Sequence, residues 1–139
     1  MTAGKDSVCV LDIEVRFAET DLMGVVHHAS YIVWLEAGRV AWMSQAGLPY
    51  VQIFSAGYNF AVTDIHCRYR TAIHFGDPVQ VITRLVGLRS RQVEFGYEVV
   101  NSATGVVCAA GSSRHICVDR VGAMTRIPDW VVTGLTGND

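Results

Sequence analysis

Between Tyr31 and Met43 the chain carries ten apolar residues and only two charges, Glu36 and Arg39. A helix with so narrow a polar stripe is normally buried inside its domain, so the rest of the chain has to wrap it. Ser30 reads as the N-cap and the helix as residues 31–46. Gly47 suits a left-handed termination, and Pro49 prevents continuation. Glu36 and Arg39, three apart, share one face and read as an ion pair with a structural or interface role.

The wrapper is legible as strands. Residues 8–17 alternate, with Leu11, Ile13, Val15 and Phe17 on one side and Asp12, Glu14 and Arg16 on the other. Further strand-like stretches rich in Thr and Val cover 58–71, 78–88, 92–100 and 106–118. The turns between them are 74–78, 87–91 and 101–105. Short connections make the last three strands antiparallel neighbours. Residues 51–57 read as a turn or short helix, and 126–135 as a terminal helix with Pro128 in its first turn. Residues 136–139 are expected to fray. The order β-α-β-β-β-β predicts an α+β fold: one long helix against one large, mostly antiparallel sheet.

The 139 residues fit one domain, 1–139, with a core over about 8–120 and a tail or short helix over about 121–139. Half the residues are hydrophobic and 17% are charged, which leaves little room for disorder away from the ends. A formal charge of −2 argues against a general nucleic-acid partner. Cys9, Cys67, Cys108 and Cys117 form no C-x-x-C pair and are expected to be reduced. The first seven residues lack the apolar segment of a signal peptide, and no run is long enough to span a bilayer. A soluble cytoplasmic protein with no membrane partner is the expectation.

The chemistry concentrates just before the helix. Asp21 stands in a Gly-containing loop, 18–29, that feeds directly into the helix start. A helix start presents free backbone N–H groups and a partial positive charge. A carboxylate across a small gap from such donors can attack a carbonyl or activate water, while the donors hold the developing oxyanion. That pairing describes an enzyme acting on an acyl group. Met23, Val25 and Val26 are available to make an apolar pocket that strengthens the carboxylate. The other reading of Asp21 is a loop cap or Asx turn. The five histidines, His27, His28, His66, His74 and His115, show no metal-ligand spacing, so no metal site is expected.

Several blocks carry a family resemblance. They are Phe17-Ala18-Glu19-Thr20-Asp21, Gly24-Val25-Val26-His27-His28-Ala29-Ser30-Tyr31 and Trp34-Leu35-Glu36-Ala37-Gly38-Arg39. Cys67-Arg68-Tyr69-Arg70 and Phe75-Gly76-Asp77-Pro78-Val79 add to them. The chain resembles the hot-dog-fold acyl-CoA thioesterases of the 4-hydroxybenzoyl-CoA thioesterase and YbgC-like branch. The resemblance implies a five-stranded antiparallel sheet wrapped around the helix. It also implies a homodimer or homotetramer with active sites at the dimer interface. It assigns Asp21 as nucleophile or general base, and the backbone amide of His28 as the group that polarises the thioester carbonyl. The side chain of His28 is a possible assistant, as other members carry a histidine there. The family often has an aromatic residue where this chain has His27, a departure that bears on the acyl pocket and not on the chemistry. Coenzyme A enters only as part of the substrate, and no cofactor is implied.

Under this resemblance Val26, His27 and Tyr31 are substrate-pocket candidates, with a core role the alternative for Tyr31. Arg89 and Arg91 flank a hairpin turn and are candidates for the coenzyme A phosphates, since guanidinium matches phosphate geometry; a solvated turn is the other reading. Asp64, His66, Arg68 and Arg70 share one face of a strand that is either solvated or borders a partner's site. An acyl-carrier-protein thioesterase and a non-catalytic acyl- or CoA-binding module remain open alternatives.

Overall fold

A computed structural model describes residues 7–137. It contains strands β1 (Val8–Glu14), β2 (Asn59–Tyr69), β3 (Pro78–Leu88), β4 (Gln92–Asn101) and β5 (Val106–Val118). The helices are α1 (His28–Gln45), α2 (Tyr50–Ser55) and α3 (Asp129–Thr136). All five strands form one antiparallel sheet in the order β1-β3-β4-β5-β2, with α1 packed against it. The expected α+β hot-dog architecture is the one observed. The terminal residues expected to fray lie partly outside the described residues: Thr136 closes α3 and Gly137 caps it, while 138–139 are not described. The first residues, where no signal peptide is expected, fall almost entirely outside them too.

The first strand ends earlier than its alternation suggests. It stops at Glu14, and Phe17–Glu19 turn into a 3₁₀ helix. The cause is local: the Glu19 carboxylate accepts the Arg16 N–H at 2.8 Å and curls the chain out of the extended form. Phe17 therefore does not join the inner face; it is 75% exposed and meets Phe75 edge to face at 5.8 Å.

The helix start also differs. α1 begins at His28, and the N-cap is His27, not Ser30. The His27 imidazole Nδ1 accepts the Ala29 N–H at 3.2 Å, doing the work usually given to a small polar side chain. Ser30 lies inside the first turn. At the other end Gly47 takes φ +78°, and Gly47 and Leu48 donate to the carbonyls of Ser44 and Met43 in a Schellman motif.

The inner side of α1 buries Tyr31, Trp34, Leu35, Gly38, Trp42 and Met43. Gly38 permits close approach to the sheet: a methyl group there would lie 2.6 Å from Thr83 Oγ1 and 2.8 Å from Val81 Cγ1. Four residues on, Trp42 meets Phe95 edge to face at 5.4 Å. Leu11, Ile32, Val33, Glu36, Ala37, Val40 and Ala41 line a shallow groove of about 500 Å³ on another side of the helix. Val33 in it is 59% exposed, so the chain by itself wraps α1 only in part.

One polar seam crosses the core. Tyr97 Oη meets Ser113 Oγ at 2.6 Å, and Ser113 Oγ meets His115 Nε2 at 2.7 Å. His115 is 1% exposed, and its Nδ1 has no partner among the described residues. Burial, reinforced by the Arg39 charge, pushes the imidazole down to about 4, while burial pushes the Tyr97 phenol up to about 12. Arg39 and Glu36 form the expected ion pair at the edge of this seam.

All four cysteines are free, and burial pushes each thiol up. No helix among the described residues is long and apolar enough to cross a membrane.

Candidate active site

Residues 19–27 fold back on themselves as a small hairpin. Thr20 bridges Val26, Asp21 N–H donates to Val25 O at 2.8 Å, and Gly24 turns the chain at φ +76°. The hairpin is fastened at its base: His27 N–H donates to Glu19 O at 2.7 Å. It is also fastened from the side, where Val26 N–H reaches Ile73 O at 2.8 Å and Phe75 N–H reaches Gly24 O at 2.9 Å.

Asp21 Oδ1 accepts the N–H groups of Met23 (2.8 Å) and Val25 (3.1 Å). This is an Asx turn, so the capping reading is correct as far as it goes. It uses one oxygen. Oδ2 has no hydrogen-bond partner among the described residues, and the side chain is exposed in the single chain. The cap fixes the carboxylate's orientation and leaves the second oxygen uncommitted. Met23 is 82% exposed and forms no pocket wall here; Val26 is buried.

At the helix start the N–H groups sort themselves. Ala29 N–H goes to the His27 ring and Ser30 N–H to His27 O. The His28 N–H has no acceptor among the described residues, at the end of α1 where the dipole favours negative charge. Tyr69 Oη donates to His28 O at 3.0 Å, pinning that residue from the far side. The His28 ring lies 4.3 Å from that of His27, tilted by 30°, and 6.4 Å from that of Tyr69.

Beside this start lies a cleft of about 280 Å³, lined by Val25, Val26, His28, Tyr31, Tyr69, Arg70, Thr71 and Ala72. Tyr31 is buried with its ring 4.9 Å from that of Tyr69, and burial pushes its phenol up to about 12. The structure thus gathers Val26, His28 and Tyr31 around one cleft. His27 caps the helix next to it, and Asp21 sits on the adjoining hairpin without lining it. Arg89 and Arg91 lie elsewhere. They flank Ser90 at the far end of β3, whose 11 residues span about 30 Å or more from the Asp21 end. Asp64, His66 and Arg68 lie on edge strand β2 and are exposed, whereas Arg70 has left the strand and lines the cleft.

Two residues escaped the sequence reading. Tyr69 was detectable: period-two alternation puts it on the side of β2 opposite Arg68. Glu19 gave no such signal. It is 7% exposed, with Oε1 on Arg16 N–H and Oε2 accepting the Trp34 Nε1–H at 2.9 Å. Burial acts to raise its pKa, but the Arg16 and Trp34 donors outweigh this and hold the carboxyl below its ordinary range. Among the described residues no group of three or more His, Cys, Asp or Glu side chains could hold a metal ion.

The pattern that defines the Thioesterase-like superfamily matches residues 15–135. A Bacillus subtilis (strain 168) protein named "Putative acyl-CoA thioesterase YneP" is 36% identical over 124 residues, covering 86% of this chain and 89% of the relative. The crystal structure of protein TT1821 from Thermus thermophilus superposes with a TM-score of 0.86 at 42% identity, covering 92% of this chain and 95% of that one. The DHNA-CoA thioesterase from Staphylococcus aureus superposes with a TM-score of 0.83 at 30% identity, over 88% and 85% of the two chains. The chain therefore belongs to the Thioesterase-like superfamily, and its sheet with the helix packed against it is the fold of the hot-dog thioesterases.

Proposed function

We propose that this protein is an acyl-CoA thioesterase. One observation carries the reading: a single hairpin, tied at its base by the Glu19–His27 hydrogen bond, holds both an oriented carboxylate with one free oxygen and an uncommitted N–H at a helix start. The thioester carbonyl oxygen accepts from the His28 N–H, where the helix dipole stabilises the charge that develops on attack. Asp21 acts through Oδ2, either taking a proton from the attacking water or itself adding to the carbonyl to form a mixed anhydride that water then opens. In both routes the C–S bond breaks, a C–O bond forms, and the products are a free acid and the thiol of coenzyme A. The His28 side chain, at the same helix start, is the assisting group. Val26, His27 and Tyr31 border the acyl end, and no metal is required.

The exposure of Asp21 in the single chain fits a site completed by a second subunit. Strand β2 is an edge strand, exposed over most of its length on both sides, and an uncovered edge of this kind is normally paired or blocked. Pairing two such edges gives a homodimer, and further association a homotetramer. Arg89 and Arg91, remote from their own Asp21, would then serve the nucleotide phosphates of a neighbouring site. Sedimentation analysis at assay concentration should return two or four times the 15.2 kDa chain mass. A stable monomer with full activity removes the shared-site part of the proposal.

The function itself is tested by following free-thiol release from aromatic, short-chain and long-chain acyl-CoAs. At least one class should be turned over with saturation kinetics. Faster turnover of the matched acyl-carrier-protein thioester would transfer the assignment to a carrier-protein thioesterase. Tight acyl-CoA binding without release of thiol in any class would mark a binding module instead.

A further inference from the structure

We infer that Glu19 is a positioning residue for catalysis: its buried carboxylate sets where the Asp21 hairpin stands relative to the start of α1. The inference rests on the proposed roles of Asp21 and the His28 amide. Glu19 does not line the cleft beside the helix start and is buried, 7% exposed. What it touches is the frame on both sides. Oε1 takes the Arg16 N–H at 2.8 Å, where the chain leaves β1. Oε2 takes the Trp34 Nε1–H at 2.9 Å, in the second turn of α1, and is approached by Arg16 Nη2 at 3.4 Å. Its own carbonyl takes the His27 N–H at 2.7 Å and lies 3.5 Å from Ser30 Oγ. One residue thus joins the strand exit, the residue before the helix, and the helix body. Asp21 follows it by two positions, and the Thr20–Val26 bridge transmits its placement directly.

A carboxylate is required here because both oxygens face donors. A glutamine of the same size has one acceptor oxygen; its NH₂ group would face either the Arg16 N–H or the Trp34 Nε1–H. The hairpin base must then move to relieve a donor–donor contact, and misplacement of about 1 Å between reacting groups can cost about 100-fold in rate.

Glu19→Gln is expected to lower kcat on acyl-CoA by about 10- to 100-fold while KM stays within about 3-fold, with circular dichroism showing a folded protein at the assay temperature. A folded variant with kcat within about 2-fold of the parent overturns the inference. Should this variant not fold, Trp34→Phe removes only the Oε2 donor and keeps an aromatic ring; it should lower kcat by about 3- to 10-fold, and an unchanged kcat counts against the inference. A role exerted through Asp21 also predicts non-additivity. In an Asp21→Asn background the further loss from Glu19→Gln should shrink to about 3-fold or less. A full multiplicative loss there shows that Glu19 does not act through the hairpin. The two readings fail separately: full activity of Asp21→Asn alone removes the catalytic reading, whereas an inactive Asp21→Asn beside a fully active Glu19→Gln removes only this one.

Discussion

Asp21→Asn should lower thioester turnover by about 10²- to 10⁴-fold, the range of a lost general base or nucleophile, while leaving the fold in place. The hydrogen bonds explain why the two effects separate. Both contacts of the Asp21 side chain are accepted by Oδ1, from the Met23 and Val25 N–H groups. Asparagine keeps an oxygen at that position and places its NH₂ where Oδ2 stood, so the Asx turn survives. An amide nitrogen there neither accepts a proton from water nor adds to a thioester. Turnover measured on the best substrate of the acyl-CoA panel, beside a urea unfolding curve, checks both halves. Activity within about 3-fold of the parent would remove Asp21 from the mechanism.

The second large effect concerns stability and lies far from the hairpin. His115 is held neutral in the core, its pKa pushed down to about 4 by burial and by the nearby Arg39 charge. In the unfolded chain it titrates near 6.5. Between those values the unfolded state binds a proton that the native state refuses, so stability falls as pH drops through this window and levels off below it. A shift of this size corresponds to about 3 kcal/mol. Chemical unfolding at pH 7 and at pH 4.5 should show the parent losing much of this increment. His115→Gln, which retains a group for Ser113, should be less stable at pH 7 and lose less on acidification. The carboxylates common to both proteins cancel in that comparison. Parallel losses in parent and variant would mean that His115 is not the acid-sensitive group.

The elements that pattern and turn chemistry determine locally were readable from the sequence. Both ends of β3 and the start of β5 fall where Pro78, the Gly87–Arg91 turn and the left-handed Gly105 put them. The stop at Gly47 was equally plain. What failed were ends set by side chains that bond back to nearby backbone amides, a choice the hydrophobic pattern does not announce. Alternation carried β1 on to Phe17 because nothing near Arg16 reveals that Glu19 will fold back onto its amide. Ser30 looked the better cap because an imidazole rarely fills that role, whereas here His27 reaches Ala29 first.

The same divide runs through the site. Asp21 and the helix start were legible because a carboxylate, a glycine turn and a long apolar helix follow one another in sequence. Tyr69 enters only because β2 passes the helix start, and Glu19 only because Trp34 lies one and a half turns into α1. The wide separation of Arg89 and Arg91 from Asp21 followed from the direction of β3, which sequence spacing does not give. The partial wrapping of α1 was not anticipated either, since an all-round apolar helix reads the same whether its own chain or another covers it.

The strand order has a consequence for biogenesis. Among the described residues β1 pairs only with β3, and β2 only with β5. A ribosome that has released the first half of the polypeptide has already delivered the aspartate hairpin and the whole of α1, yet neither emerged strand has its hydrogen-bonding neighbour. The nascent segment therefore holds the reactive residues but no template to arrange them, with its greasiest helix still uncovered. Only when β5 arrives, near the end of translation, is β2 seated and Tyr69 brought to the helix start.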